Sequence, residues 1–171
     1  MKVCIIGAGH VGSSIAFALL FSRACSRIYL SDIDNDKLWA EILDLQDAAK
    51  IADIDCTVGV ALDPCYSKEY DAIVYCAGYG RKNPQETDEH LFSLNAPIIR
   101  NAWKTYARFR GKVLIVSNPP DMLSKLWKDS IPVGDILDKA RGKRTSAPIL
   151  LGKGYTNWGV TSEVMRRLGI W

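Results

Sequence analysis

The chain alternates short apolar runs with longer stretches of helical periodicity, and that alternation predicts its architecture. Lys2 to Ile6 is a short run of β-branched and apolar residues that ends in Gly7, as suits a strand buried on both faces. Val11 to Phe21 repeats apolar residues at three and four (Val11, Ile15, Ala18, Leu19), which predicts a helix. Arg27 to Ser31 reads as a second strand, halted by the polar set from Asp32 to Asp36, and Leu38 to Ala49 as a second helix with Leu38, Ile42 and Leu45 on one stripe. A weaker strand is expected at Thr57 to Ala61 and a clear one at Asp71 to Cys76. A long amphipathic helix follows from His90 to Phe109, then a strand from Lys112 to Val116 stopped by Ser117-Asn118-Pro119-Pro120. Strands that alternate with helices need crossover connections, so the expected fold is α/β, a doubly wound parallel sheet with helices on both faces. Beyond Trp127 the pattern thins. Pro132, Pro148 and four glycines between Asp129 and Gly154 predict loop and linker, with one short helix near Ile136 to Arg141, before helical spacing returns from Tyr155 to Leu168.

Composition adds boundaries. A length of 171 residues and 48% hydrophobic positions suit one ordinary globular domain. The net charge of +3 comes without a long basic run, so neither nucleic acid nor an anionic membrane is expected as a partner. The longest apolar stretch, Ile15 to Phe21, is far short of the roughly 20 residues that span a bilayer. Met1 leads straight into an apolar run without a charged leader, and a cytoplasmic location is expected. The five cysteines (Cys4, Cys25, Cys56, Cys65, Cys76) contain no CxxC and lack a histidine at ligand spacing, so reduced, buried thiols are expected and no metal.

Chemistry concentrates after the first strand. Gly7-Ala8-Gly9-His10-Val11-Gly12 is a GxGxxG that ends a strand and opens a helix, with Asp32 twenty residues beyond Gly12 at the end of the next strand. In that context the glycines permit a tight turn, close approach of a diphosphate and close packing of the helix, while the helix start offers N–H groups and a favourable dipole to the anion. Asp32 would accept hydrogen bonds from ribose hydroxyls and repel a 2′-phosphate, which predicts NAD over NADP and a dinucleotide-binding (Rossmann) fold. The other reading makes the glycines plain turn residues and Asp32 a helix cap. Other constellations are missing: the sequence holds no Tyr-x-x-x-Lys, no phosphate loop ending in Gly-Lys-Ser/Thr and no GxSxG.

Further segments resemble one family, the NAD-dependent lactate and malate dehydrogenases. Ile5 to Ser14 is similar to its first turn, and Ile42 to Ala48 (Ile-Leu-Asp-Leu-Gln-Asp-Ala) to a segment of its next helix. Ala77-Gly78 with Arg81-Lys82, Pro84, Glu86-Thr87 and Asn95 resembles its substrate loop, and Val116-Ser-Asn-Pro119 with Asp121 the strand end that carries a substrate asparagine. The likeness runs continuously from residue 1 to about residue 127, and Gly154-Tyr-Thr-Asn-Trp158 resembles a later family segment that begins a substrate-side helix. It implies hydride exchange between nicotinamide and a 2-hydroxy or 2-oxo acid, with an imidazole moving the proton and two arginines holding the acid. Carried over residue by residue, it implies that Gly7, Gly9, His10, Val11, Gly12, Asp32, Ala77, Gly78 and Asn118 bind the coenzyme. Arg81, Asn118 and Thr156 would face substrate, Arg81 where the family reads its far end and where an arginine resembles malate-type members and points to a dicarboxylate; Asp138 and Arg141, in Leu137-Asp-Lys-Ala-Arg141, would take catalytic places. Domain boundaries follow: dinucleotide binding over 1–128, a linker remnant over 129–154 and a substrate-side helix over 155–171. Trp39 lies in a helix that the family uses for a two-fold contact, so a homodimer is one expectation, and packing of Trp39 on its own sheet the other.

Two departures oppose efficient catalysis. Asp88 stands where the family places its second loop arginine, and no histidine follows Asn118. His10 belongs to the glycine loop and His90 is expected to be a solvated residue at a helix start. Three readings follow: an impaired 2-hydroxy acid dehydrogenase, an NAD-binding relative without turnover in a sensing or assembly role, or one portion of a longer enzyme.

Overall fold

A computed structural model describes residues 1–61, 69–133 and 146–171. In chain order its elements are β1 (Lys2–Ile6), α1 (His10–Phe21), β2 (Arg27–Ser31), α2 (Asn35–Ile51), β3 (Thr57–Val60), β4 (Ala72–Tyr75), α3 (Asp88–Tyr106), β5 (Lys112–Ile115), α4 (Pro120–Ser124), β6 (Ser130–Pro132), α5 (Ser146–Lys153) and α6 (Trp158–Leu168). The strands form one parallel sheet in the order β3-β2-β1-β4-β5-β6, the doubly wound Rossmann arrangement expected from the alternation.

Alternation of side chains along each strand divides the core in two. Val3, Ile5, Ala72, Val74, Leu114 and Val116 join α1, α2 and α6 on one face. Cys4, Ile6, Ile73, Tyr75, Val113 and Ile115 join α3 and α4 on the other. Each central strand is therefore apolar on both sides, which is why the strands read as continuous apolar runs. Polar residues set the helix starts. Asp34 accepts the Lys37 N–H at 3.1 Å, so α2 begins at Asn35, ahead of its apolar stripe. Thr87 accepts the His90 N–H at 3.2 Å and starts α3 at Asp88.

In the stretch read as linker from 129 to 154, the described residues carry two elements. β6 pairs with β5, Leu114 beside Ile131, and sits at the sheet edge, where Pro132 needs no ladder partner on its open side. α5 contains Pro148 in its first turn, where the missing N–H interrupts nothing, and its end is followed by Gly154 at φ +81°. The short helix expected near 136–141 lies outside the described residues. Helical spacing from Tyr155 resolves into α6, which starts at Trp158 and packs along α1.

Candidate functional site

The strand order reverses between β1 and β4, and the carboxyl ends of these strands open the crevice where this architecture binds ligands. The glycine loop lies on that rim, and each glycine answers a different neighbour. Gly7 has φ +98°, and a Cβ there would fall 2.5 Å from the Ala77 nitrogen, so the turn brings β1 hard against the end of β4. A Cβ at Gly12 would meet the Gly7 carbonyl oxygen at 1.9 Å; this glycine lets α1 close onto its own loop as well as onto Ile5 of the sheet. Gly9 is the reverse case: among the described residues, its only neighbour within 4 Å of a Cβ would be the Lys37 Nζ, at 3.7 Å. The free space is on the ligand side of the loop, at the N-cap of α1, where amide N–H groups and the helix dipole favour an anion. A diphosphate fits that cradle.

Asp32 is half-buried at the end of β2. One carboxylate oxygen accepts the Ala8 N–H at 2.7 Å and the other the Asp34 N–H at 3.1 Å. Its side chain therefore ties the glycine loop to the second strand, while the cap of α2 is Asp34.

Across the crevice, the loop after β4 and the end of β5 are joined by one side chain. Asn95 is buried in α3, donates to the backbone oxygens of Asn118 at 2.7 Å and Tyr79 at 3.0 Å, and accepts the Tyr79 N–H at 2.7 Å. A Cβ on Gly78, at φ +142°, would sit 2.6 Å from the Asn95 Oδ1. Ser117 Oγ donates to the Ala77 carbonyl at 2.7 Å, adding a second tie. The Asn118 side chain is exposed on this rim, and its bond to Pro119 is cis. The family resemblance includes Asn95 in the substrate loop without giving it a role, and a polar residue on the stripe Leu91, Asn95, Ile99 was the further signal for this clamp.

The remaining predicted residues spread over three places. His10 opens α1 and stacks on Tyr155, with ring centroids 4.1 Å apart and planes within 9°. Lys153 Nζ lies over the Tyr155 and Trp158 rings and donates to Asn157 Oδ1 at 2.6 Å. Asn157 Nδ2 in turn donates to Ser14 Oγ at 2.7 Å. The segment with half-buried Thr156 is thereby fastened beside the glycine loop, and neither Asn157 nor Lys153 was singled out by spacing. Val11 is half-buried against the core. Arg81 pairs with Asp88 and with the Glu86 carbonyl oxygen, inside its own loop. His90 is exposed on the first turn of α3. Asp138 and Arg141 lie outside the described residues. Among the described residues there is no three-residue cluster suited to a metal, and no helix is long and apolar enough to cross a membrane. Cys4 and Cys25 are free, buried thiols, pushed up to about 12 and about 11 mainly by burial, which keeps them protonated.

Residues 1–133 match the family model described as lactate/malate dehydrogenase, NAD binding domain. The chain belongs to the lactate/malate dehydrogenase family. Among relatives, it is 33% identical over 153 residues to the probable malate dehydrogenase of Campylobacter jejuni subsp. jejuni serotype O:2, covering 84% of this chain and 51% of that protein. It is 37% identical to an L-lactate dehydrogenase of Clostridium perfringens, over 83% of this chain and 47% of the relative. The chain thus spans about half the length of the curated relatives it matches. Among solved structures, the malate dehydrogenase from Archaeoglobus fulgidus in complex with NADH superposes with a TM-score of 0.85 at 27% identity, over 98% of this chain and 76% of that one. The minor L-lactate dehydrogenase from Enterococcus mundtii gives a TM-score of 0.66 at 30% identity, over 75% and 41% of the two chains.

Proposed function

We propose that this chain binds NAD in the crevice between β1 and β4 and is a lactate/malate dehydrogenase-like oxidoreductase of 2-hydroxy and 2-oxo acids, impaired as encoded. The observation that carries the coenzyme half is the open cradle at Gly9, beside a glycine loop anchored by Asp32. Amides around Gly9, His10, Val11 and Gly12 hold the diphosphate. Asp32 accepts the adenosine ribose hydroxyls, its charge favouring NAD over NADP. Ala77, Gly78 and Asn118 border the other half of the crevice. When bound, NAD supplies a nicotinamide that accepts or gives hydride; Asn118 and Thr156 orient the acid beside the loop that carries Arg81, and Asp138 and Arg141 take the catalytic places the family resemblance assigns them.

Within these 171 residues no imidazole is placed to move the substrate proton. No histidine follows Asn118, and His10 is committed to its stack on Tyr155. Losing an oriented acid–base group costs about 10²–10⁴ in rate. The same observation supports a second reading, an NAD(H)-binding relative without turnover in a sensing or assembly role. Trp39 is 54% exposed on α2 with Leu43 beside it on the outer face, which favours a homodimer through this helix over packing on the sheet.

Titration with NADH, read by tryptophan fluorescence, tests the coenzyme half, and NADH absorbance with oxaloacetate, pyruvate and longer 2-oxo acids tests the rest. Saturable binding with slow turnover is expected. Saturable binding with none on any acid selects the second reading, and absence of binding overturns both.

A further inference from the structure

We propose that Asp88 sets the substrate class of this site: its carboxylate takes the place of a ligand's far carboxylate on Arg81, so the loop accepts monocarboxylic 2-oxo and 2-hydroxy acids and turns away dicarboxylates. The inference rests on the reading that the loop after β4 borders the substrate. The family resemblance puts Arg81 where the substrate's far end is read, as in malate-type members. The structure leaves it no charge to offer. Its Nη2 pairs with the Asp88 carboxylate and its Nη1 donates to the Glu86 carbonyl oxygen, both within seven residues of the same loop.

The rest of the loop is built to hold that pair. Lys82 N–H donates to Glu86 Oε2 at 2.9 Å, Glu86 N–H to the Asn83 carbonyl at 3.0 Å and Gln85 N–H to Asn83 Oδ1 at 3.0 Å. Asp88 is the first residue of α3, behind the Thr87 cap, where the helix dipole further stabilises its charge. Arg81 is three-quarters buried at the side chain, whereas the Asp88 side chain is 56% exposed and faces whatever approaches. An incoming dicarboxylate must displace Asp88 or sit against its charge, and like charges brought together in a binding site are strongly disfavoured. A ligand with an uncharged far end meets no such opposition.

The test uses two unreactive probes on the NADH-loaded chain, read by calorimetry: oxamate, whose far end is a neutral amide, and tartronate, a dicarboxylate. Wild type is expected to prefer oxamate. Asp88→Asn should tighten tartronate by about tenfold while leaving oxamate within about twofold. The conservative D88E should keep the wild-type preference, and in the double variant R81Q/D88N the gain should vanish. A tartronate-to-oxamate ratio unchanged by D88N, a gain that survives without Arg81, or failure of every variant to bind either probe overturns the proposal. Each variant is also titrated with NADH, and the acid titrations are repeated without it. Loss of NADH binding throughout, wild type included, sinks the coenzyme reading, while the ratio of the two acids still decides the role of Asp88.

Discussion

At the residue scale, the glycine loop separates two demands that a motif merges. Gly12 is required by the protein itself, since any Cβ overlaps the Gly7 carbonyl, whereas Gly9 is required only by a ligand. Gly9 has φ −77° and ψ −174°, a conformation alanine adopts without strain. Gly12→Ala should therefore cost about 1–3 kcal/mol as overpacking and lower Tm by several degrees. Gly9→Ala should leave Tm within about 2 °C of wild type yet weaken NADH by about tenfold or more, because its methyl group enters the cradle. Circular-dichroism melts and NADH titration of both variants check this; equal loss of stability in the two would refute the division. Asp32→Ser is expected to weaken NAD and to narrow the gap to NADP, measured by calorimetry, and to loosen the Ala8 and Asp34 amides it now holds. The motif and the acid were legible because their chemistry requires residue types at fixed spacing. Asn95 was legible only through the family resemblance, and its role as a clamp was not, since its partners Tyr79 and Asn118 become neighbours only once α3 is laid across the ends of β4 and β5.

At the scale of elements, α6 is fixed by charge near its end. Glu163 is buried and accepts Arg166 Nε at 3.0 Å and Nη2 at 2.7 Å, and Arg167 Nε at 2.7 Å, while Lys112 Nζ reaches back from β5 to the Arg167 carbonyl at 2.7 Å. The hydrogen bond from Arg166, opposed by burial and reinforced by Arg167, holds the Glu163 carboxyl down at about 2 from an ordinary 4.5. A carboxyl depressed in the folded state stabilises it above its unfolded pKa and loses that contribution as pH falls through the folded one. The folded state should thus lose this contribution between pH 4.5 and about 2, seen as a change in tryptophan fluorescence from Trp158 and Trp171 near the ion pairs within α6. Glu163→Gln should lower stability at neutral pH by about 1–2 kcal/mol and remove most of that acid dependence. An acid transition identical in the variant would assign it elsewhere. Helices and strands from residue 2 to 115 were readable from periodicity because each is long enough to repeat its pattern. β6 and α5 were not: three residues ending in proline and eight containing Pro148 and Gly152 look like loop until a neighbouring strand or a first-turn position accommodates them.

At the scale of the whole molecule, the two halves of the sheet are covered differently. α1 and α2 arise from the crossovers on their face, but α6 returns from the end of the chain, and its Val164, Met165 and Leu168 join Val74, Leu114 and Val133 in the same core. Coenzyme bound in the crevice binds only the folded state, so saturation should appear as thermal stabilisation. At one hundred times its Kd, NADH adds about 2.7 kcal/mol, an upward shift of roughly 5–10 °C for a chain of this size. NADPH at the same concentration should shift the melt by much less; equal shifts would remove Asp32 as the discriminating residue. The order of apolar and polar residues determined the parallel sheet, the place of the glycine loop and the acid that follows it, since all of these depend on local spacing and on short crossovers. Only tertiary structure decided that Arg81 spends its charge on Asp88, that Asn95 clamps the far rim and that residues 153–158 close over His10. Those facts depend on which side chains long-range packing brings within hydrogen-bond reach, and a periodic pattern carries no record of that distance.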